Sequence, residues 1–310
     1  MKILVTGALG FIGASIVNSL GSTHDIDILD GFDLDYVGYK FIHRGNQGLQ
    51  PVNAIEKQHR LLNLDYRLSL VRGKFSKLYK SWSFDTLPNK YYDLIINCGA
   101  LSEAILSQYF EEFTYKSIVT GLENLKKKYP DARMLHISSS MVYGSWSGKI
   151  TEQAETKPVD KYGVAKLASE SLCTNNDIVL RPIHVYGMGD GKFSVWMNLD
   201  RQLAAKKPLS VENASCIYIK DFVKAVNKII DNWNPGVYNI SYDFVRDGND
   251  IQEVYKLPFE YINKSGPTGR PRGLLSCEKL LSTFNLVFEY KDYLSTIEDY
   301  YNIHENFCKK

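Results

Sequence analysis

The chain is poor in the features that mark secreted, metal-bound or membrane-embedded proteins. Its five cysteines, at positions 98, 173, 216, 277 and 308, are an odd number with no Cys-x-x-Cys spacing. That excludes a disulfide framework and a zinc-finger pattern and points to a reducing compartment. Six histidines are scattered with no His-x-x-x-His pair, so no metal site is expected. No apolar run approaches the ~18 residues of a membrane span. The apolar start is interrupted by Gly7, Gly10 and Gly13 and carries no small-residue cleavage pattern. The expectation is a soluble, cytoplasmic protein without a membrane partner. An excess of one charge is also missing, with 37 Lys+Arg against 35 Asp+Glu and a net charge of +2. Without a basic stripe, no nucleic-acid partner is expected. The run Lys126, Lys127, Lys128 ends a helical pattern before Pro130, where cations offset the helix dipole.

What the chain does contain is a set of short segments with chemical content. An apolar strand at 2–6 runs into Gly7-x-x-Gly10-x-x-Gly13 and then a helix through Ile16, Val17 and Leu20. Glycines allow the tight turn and a close backbone approach, and the helix N-terminus around Phe11 and Ile12 offers N–H groups to a pyrophosphate. Asp30 closes the second strand, 17 residues after Gly13. A carboxylate there accepts hydrogen bonds from both adenosine ribose hydroxyls and repels a 2′-phosphate. Gly31 and Phe32 follow it instead of a basic residue, which favours NAD over NADP. Farther along, Tyr162 and Lys166 stand four residues apart, on one face of a helix. A phenol beside a fixed ammonium ion is expected to titrate below its usual value of about 10, making an acid–base pair. A buried strand at 133–138 leads into Ser138, Ser139, Ser140, Met141, Val142, Tyr143 and Gly144, with Ser139 lying 23 residues before Tyr162.

Strand and helix patterns alternate along the chain. Strands are expected at 2–6, 25–30, 59–63, 93–97, 133–138 and 177–181, and helices at 11–20, within 104–128 and at 160–174. This implies an α/β fold built on a Rossmann-type, doubly wound parallel sheet, with a cofactor at the carboxyl ends of the strands. After Gly187 the alternation fades, returning with a helix near 220–231 and a strand at 237–240. The expected division is a dinucleotide-binding domain over 1–187, rejoined by 215–244, and a smaller substrate-binding lobe over 188–214 and 245–310. Residues 31–58 exceed the usual length of a structureless loop and read as local helix, lid or surface insertion.

Together these segments resemble the extended short-chain dehydrogenase/reductase family of nucleotide-sugar epimerases, dehydratases, decarboxylases and reductases. The likeness covers Thr6 to Gly13, Asp30, the serine segment, Tyr162 to Glu170, and Arg181 to Gly187. Beyond Lys192 it thins to Tyr218-Ile219-Lys220-Asp221 and Arg270-Pro271. The resemblance implies that Asn63 and Leu64 hold the adenine and that Cys98, Gly99 and Ala100 lie beside the pyrophosphate and ribose. It also implies that Tyr162 takes the proton from a sugar hydroxyl while hydride leaves the same carbon. Lys166 then lowers the tyrosine's pKa and binds the nicotinamide ribose. Alignment on Val142-Tyr143-Gly144 selects Ser139 as donor to the substrate oxygen; Ser138 and Ser140 cap and orient. Ser140, His184 and Arg270 are candidate substrate contacts, with His184 also open to a structural role. A homodimer through the Tyr162 helix and the helices near 104–128 is implied as well.

The departures narrow the chemistry. Family dehydratases carry Asp-Glu directly after the catalytic hydroxyl residue, where this chain has Ser140-Met141. Ile118 stands where the family often has an asparagine, and Asn213 to Ile217 lack the phosphate-binding arginine of epimerases acting on uridine diphosphate sugars. The first reading is an NAD-dependent nucleotide-sugar epimerase working through a keto intermediate. The second is an NAD(P)-dependent reductase or dehydrogenase of a keto or deoxy nucleotide sugar, favoured by the segment from Arg270 to Leu280. The third is a non-catalytic dinucleotide sensor on the same fold.

Overall fold

A computed structural model describes residues 1–31, 41–43, 49–51, 54–80, 86–101, 104, 106–190, 210–212, 215–245, 248–256, 262–264 and 272–308. The central sheet has seven strands among these residues: β1 (Lys2–Thr6), β2 (Asp25–Leu29), β3 (Lys77–Tyr79), β4 (Leu94–Asn97), β5 (Arg133–Ile137), β6 (Ile178–Pro182) and β7 (Gly236–Ile240). Their spatial order is β3-β2-β1-β4-β5-β6-β7, every neighbouring pair parallel. Such strands are covered on both faces, which is why Leu94–Asn97 and Ile178–Pro182 are buried throughout and read as continuous rather than alternating runs. The order reverses between β1 and β4, so the crevice for a ligand opens there, at the strands' carboxyl ends.

The helices are α1 (Phe11–Leu20), α2 (Ala54–Val71), α3 (Leu106–Tyr109), α4 (Glu111–Tyr115), α5 (Gly121–Lys128), α6 (Lys161–Glu170), α7 (Ile219–Asp231), α8 (Gly248–Tyr255), α9 (Glu278–Thr283) and α10 (Tyr293–Cys308), with a π-helical stretch at Lys116–Thr120. The strand expected at 59–63 is instead part of α2, and the sheet's outer strand is Lys77–Tyr79. Five residues of mixed character carry no period that distinguishes strand from helix. Burial decides it: Asn63, Leu64, Arg67 and Val71 are buried, a spacing that lines one helical face. Within the 31–58 connection, Phe41–His43 pairs antiparallel with Leu49–Pro51 and α2 begins at Ala54.

One core serves both the sheet and the carboxyl-terminal segment. Tyr293, Ile297 and Tyr300 of α10 belong to the same buried cluster as Ile3, Val5, Phe222 and Ile229. The fully buried Asp221, in the first turn of α7, accepts the Tyr242 hydroxyl at 2.8 Å and the Glu289 amide at 2.9 Å, tying that segment to the sheet. Three further parallel strand pairs among the described residues join remote segments: Val185–Tyr186 with Ile217–Tyr218, Ser210–Glu212 with Ile262–Lys264, and Trp146–Ile150 with Arg272–Leu275.

At the amino-terminal ends of the strands, Asp177 is a buried knot. Its carboxylate accepts from Met134 N at 3.0 Å, Thr174 N at 2.6 Å and Lys126 Nζ at 2.7 Å, joining β5, α5 and the turn into β6. Asp177→Ala should destabilise the fold by about 2–3 kcal/mol, because it leaves the Met134 amide unpaired and the half-buried Lys126 without its counter-ion. Urea unfolding followed by circular dichroism measures it, and a midpoint equal to that of the unaltered protein would show that the knot carries little stability.

Candidate active site

The glycine turn is shaped by contact with the end of β4. Gly7 has φ +62°, and a Cβ on it would lie 2.8 Å from the Cys98 carbonyl and Gly99 Cα. A Cβ on Gly13 would come within 2.2 Å of the Gly7 carbonyl oxygen. Both neighbours are backbone and have nowhere to go, so any side chain would push the turn off the strand. The first turn of α1 has no acidic residue and no side-chain cap. Its N–H groups at Phe11 and Ile12 are therefore left to an anion, which is what a dinucleotide's pyrophosphate supplies. The Asp30 carboxylate accepts the Leu9 N–H at 2.7 Å, so the residue assigned to the adenosine ribose also braces the turn.

On the opposite side of the crevice, Ser139 caps the 3-10 turn Ser140–Tyr143 by accepting the Met141 N–H at 3.2 Å. Asp160 caps α6, accepting the Gly163 N–H at 2.8 Å, and so sets the helix carrying Tyr162 and Lys166. All three candidate catalytic side chains are buried. Ser139 hydrogen-bonds Tyr162, and the Lys166 ammonium stands 5.8 Å from the centre of the Tyr162 ring. Cys98, at the end of β4, senses the charges of both Lys166 and Asp30, so the two sides converge on it; burial raises its thiol to about 12.

The expected lowering of the phenol does not occur in this geometry. Burial raises Tyr162 to about 12, and the hydrogen bond with Ser139 offsets only part of that. Lys166 spends a proton on the Ile137 carbonyl at 2.7 Å, and burial lowers its amine to about 8. Desolvation is the larger effect because both groups lie deep between α6 and the sheet.

Other predicted residues fall less evenly. Gly99 and Ala100 follow Cys98 at the mouth of the crevice, and Ser140 is buried next to Ser139. Asn63 and Leu64 sit mid-helix, not at a strand end, and the Asn63 side chain accepts the Gly189 N–H at 3.2 Å. Its carboxamide grips the turn after Gly187. His184 is half-buried and its carbonyl accepts the Ile217 N–H at 3.1 Å. Arg270 lies outside the described residues. Ile118 packs with Met141, Tyr162 and Ala165, an apolar floor beneath the tyrosine.

Sequence reasoning passed over a second buried set. Arg181 makes a paired contact with Glu170, at 3.0 Å from Nε and 2.6 Å from Nη2, and donates to the Tyr143 hydroxyl at 2.8 Å; Ser138 donates to Glu170. These bonds lock the end of α6 to β6 and to the serine turn. The available signal was a Glu and an Arg standing 11 residues apart within apolar segments.

A family model described as "NAD dependent epimerase/dehydratase family" matches residues 3–241. The chain is 26% identical over 248 residues to an uncharacterized UDP-glucose epimerase, YtcB, of Bacillus subtilis, covering 74% of this chain and 72% of that one. It is 26% identical over 289 residues to an ADP-L-glycero-D-manno-heptose-6-epimerase of Brachyspira hyodysenteriae, covering 84% and 83%. In fold it is similar to the UDP-glucuronic acid 4-epimerase of Bacillus cereus in complex with UDP-glucuronic acid and NAD, with a TM-score of 0.76, 20% identity and 99% of each chain covered.

The depressed amine of Lys166 has a consequence for stability. Its pKa is about 8 in the fold and about 10.4 when solvated, so between those values the unfolded chain binds more protons and stability rises with pH. Below about pH 8 the cost of burying the charge is fully present. Lys166→Met should therefore stabilise the fold at pH 7 by roughly 1–3 kcal/mol, the lost bond to Ile137 offsetting part of the relief, and the gain should vanish by about pH 10.5. Denaturant midpoints across that range test this; a variant less stable at pH 7 would refute the burial cost.

Proposed function

The chain belongs to the NAD dependent epimerase/dehydratase family, and from that premise we propose that it binds NAD and epimerises a nucleotide sugar. The observation that carries this is the convergence of the glycine turn, Asp30, Cys98, Ser139, Tyr162 and Lys166 on one crevice at the strand ends. NAD, when bound, accepts a hydride from the sugar carbon and returns it. Gly7, Gly10, Phe11, Ile12 and Gly13 hold the pyrophosphate, and Asp30 the adenosine ribose. Cys98, Gly99 and Ala100 form the wall between pyrophosphate and ribose, and the region 188–214 with 245–310 receives the nucleotide sugar.

Tyr162 takes the proton of the sugar hydroxyl and gives it back to the keto oxygen after the sugar has presented its other face. Ser139 donates to that oxygen, stabilising the negative charge that develops. Because burial holds the phenol at about 12, it is a weak proton donor and a strong base once ionised. Lys166, near 8, supplies the nearby positive charge only while protonated. Rising pH through about 8 therefore removes the cation that favours phenolate. Met141 offers no proton relay, and Ile118 closes the space beneath Tyr162 with hydrocarbon. This apolar surround favours returning hydride to the same carbon over eliminating water. The two epimerase relatives support epimerisation over net reduction.

We propose in addition that the chain pairs as a homodimer. Tyr109, Phe113 and Tyr115 on the α3–α4 stretch and Val164 on α6 are exposed large apolar side chains. Lys161 and Glu111 pair across these helices at 2.7 Å. We place the two-fold contact there; light scattering at micromolar concentration should give twice the chain mass, and Val164→Glu should return it to one chain. A monomeric unaltered protein would dismiss the contact.

Two measurements test the activity. Tyr162→Phe should keep NAD affinity and lower turnover on the productive member of a nucleotide-sugar panel by ~10² or more, the scale of a lost positioned base. Near-normal turnover would raise the sensor reading in its place. Mass spectrometry of small molecules released by denaturation should find NAD retained without added reductant; an empty site that takes up and consumes NADH would instead establish the reductase.

A further inference from the structure

We infer that His136 is the positioning residue of this crevice: through one unbroken chain of hydrogen bonds, buried from Thr6 onward, it ties the Gly99 turn, on the cofactor side, to the helical turn that carries Lys166. The inference rests on the NAD reading above. At one end the Gly99 N–H donates to Thr6 Oγ1 at 3.2 Å, and Thr6 Oγ1 donates to Asn97 Oδ1 at 2.6 Å. Asn97 Nδ2 lies 3.1 Å from His136 Nδ1, and His136 Nε2 lies 2.9 Å from Ser169 Oγ. Ser169 Oγ in turn donates to the Lys166 carbonyl at 2.7 Å.

The two ends dictate every direction between them. A backbone N–H can only donate and a carbonyl can only accept. Thr6 must therefore pass its proton to the Asn97 oxygen, the Asn97 amide must donate to Nδ1, and Nε2 must carry the imidazole's proton. His136 is thus neutral, in a single tautomer, and no link can reverse without breaking a neighbour. Thr6, Asn97, His136 and Ser169 are each no more than 4% exposed, so water cannot replace a lost partner.

The same short stretch of β5 holds Lys166 twice. His136 reaches its backbone carbonyl through Ser169, and the next residue, Ile137, accepts its ammonium. Met134, two residues earlier and so on the same face of β5, shows that an apolar side chain is buried on this side of the strand. An apolar residue at 136 would need no partners and carry no desolvation cost. The imidazole contributes something that hydrocarbon would not: fixed spacing between the wall at Gly99 and the turn at Lys166.

The test uses the full chain and NAD alone as probe, with dissociation constants measured by calorimetry. His136→Phe keeps a ring and removes both nitrogens; it should weaken NAD by about tenfold or more, the scale set by a buried bond left unmade at each side. His136→Gln restores one acceptor and one donor, and should return affinity to within about threefold of the unaltered protein, because the loss is of bonds and not of volume. Asp177→Ala, whose carboxylate lies at the other end of the strands, should lower the melting temperature yet leave NAD affinity unchanged. NAD binding by His136→Phe within about twofold of the unaltered protein, well below the effect of one buried bond, would overturn the proposal. So would an equal loss in Asp177→Ala, since that would be an effect of stability alone. If His136→Phe fails to fold, Ser169→Ala decides: a weakening of about threefold, part of one bond's worth, supports the link, and an unchanged constant overturns it. An unaltered protein that binds no NAD would overturn the NAD reading itself and this proposal with it.

Discussion

The arrangement depends on a contact between two stretches of bare backbone: the turn at Gly7 against the end of β4 at Cys98 and Gly99. With a Cβ on Gly7 only 2.8 Å from that backbone, the two can meet only if no side chain stands between them. Their meeting places the amino terminus of α1 beside the switch point of the sheet. It also brings Asp30 onto the Leu9 amide, so that the carboxylate and the N–H groups face one crevice. Everything assigned to the dinucleotide follows from this approach.

The other wall of the crevice is made from buried polar groups, and it is the costly part of the structure. Lys166 is held as an amine near 8 and Tyr162 as a phenol near 12, both away from water. A protein selected for stability alone would have apolar residues in these places. The bonds around them compensate in part: Asp160 starts the helix, Glu170 and Arg181 fasten its end, and His136 reaches its last turn through Ser169. Three anchors along one ten-residue helix leave the pair little freedom, as a reaction needing hydride and proton to move at adjacent atoms requires.

The apolar features around the site bear on which reaction this wall serves. Ile118 and Met141 pack against Tyr162, where a second carboxyl or a water-holding amide would give a proton path for elimination. A single base facing a single oxygen suits oxidation followed by return of the same hydride. The two epimerases named above act on different sugars and nucleotides, so the family likeness leaves the substrate to the carboxyl-terminal region.

Much of this was legible in the sequence where the physics is local. The parallel core strands, the glycine turn, the Asp30 strand end and the Tyr162–Lys166 spacing each follow from residues within one turn or one strand, and the structure shows each of those elements. The strand expected at 59–63 failed because five residues of mixed character carry no period; only packing against the body of the protein revealed the helical face of Asn63, Leu64, Arg67 and Val71. The protonation of the reacting pair was misjudged for a related reason. Spacing puts an ammonium near a phenol, but how far each is removed from water depends on the sheet beneath them. The sequence by itself determined the core parallel strands, the glycine turn and the identity of the reactive groups, since these are set by neighbours along the chain. Only the tertiary structure decided the pKa values, the role of Asn63, and the chain from Gly99 through His136 to Lys166, because burial and hydrogen-bond direction arise where residues 6, 97, 136 and 169 meet.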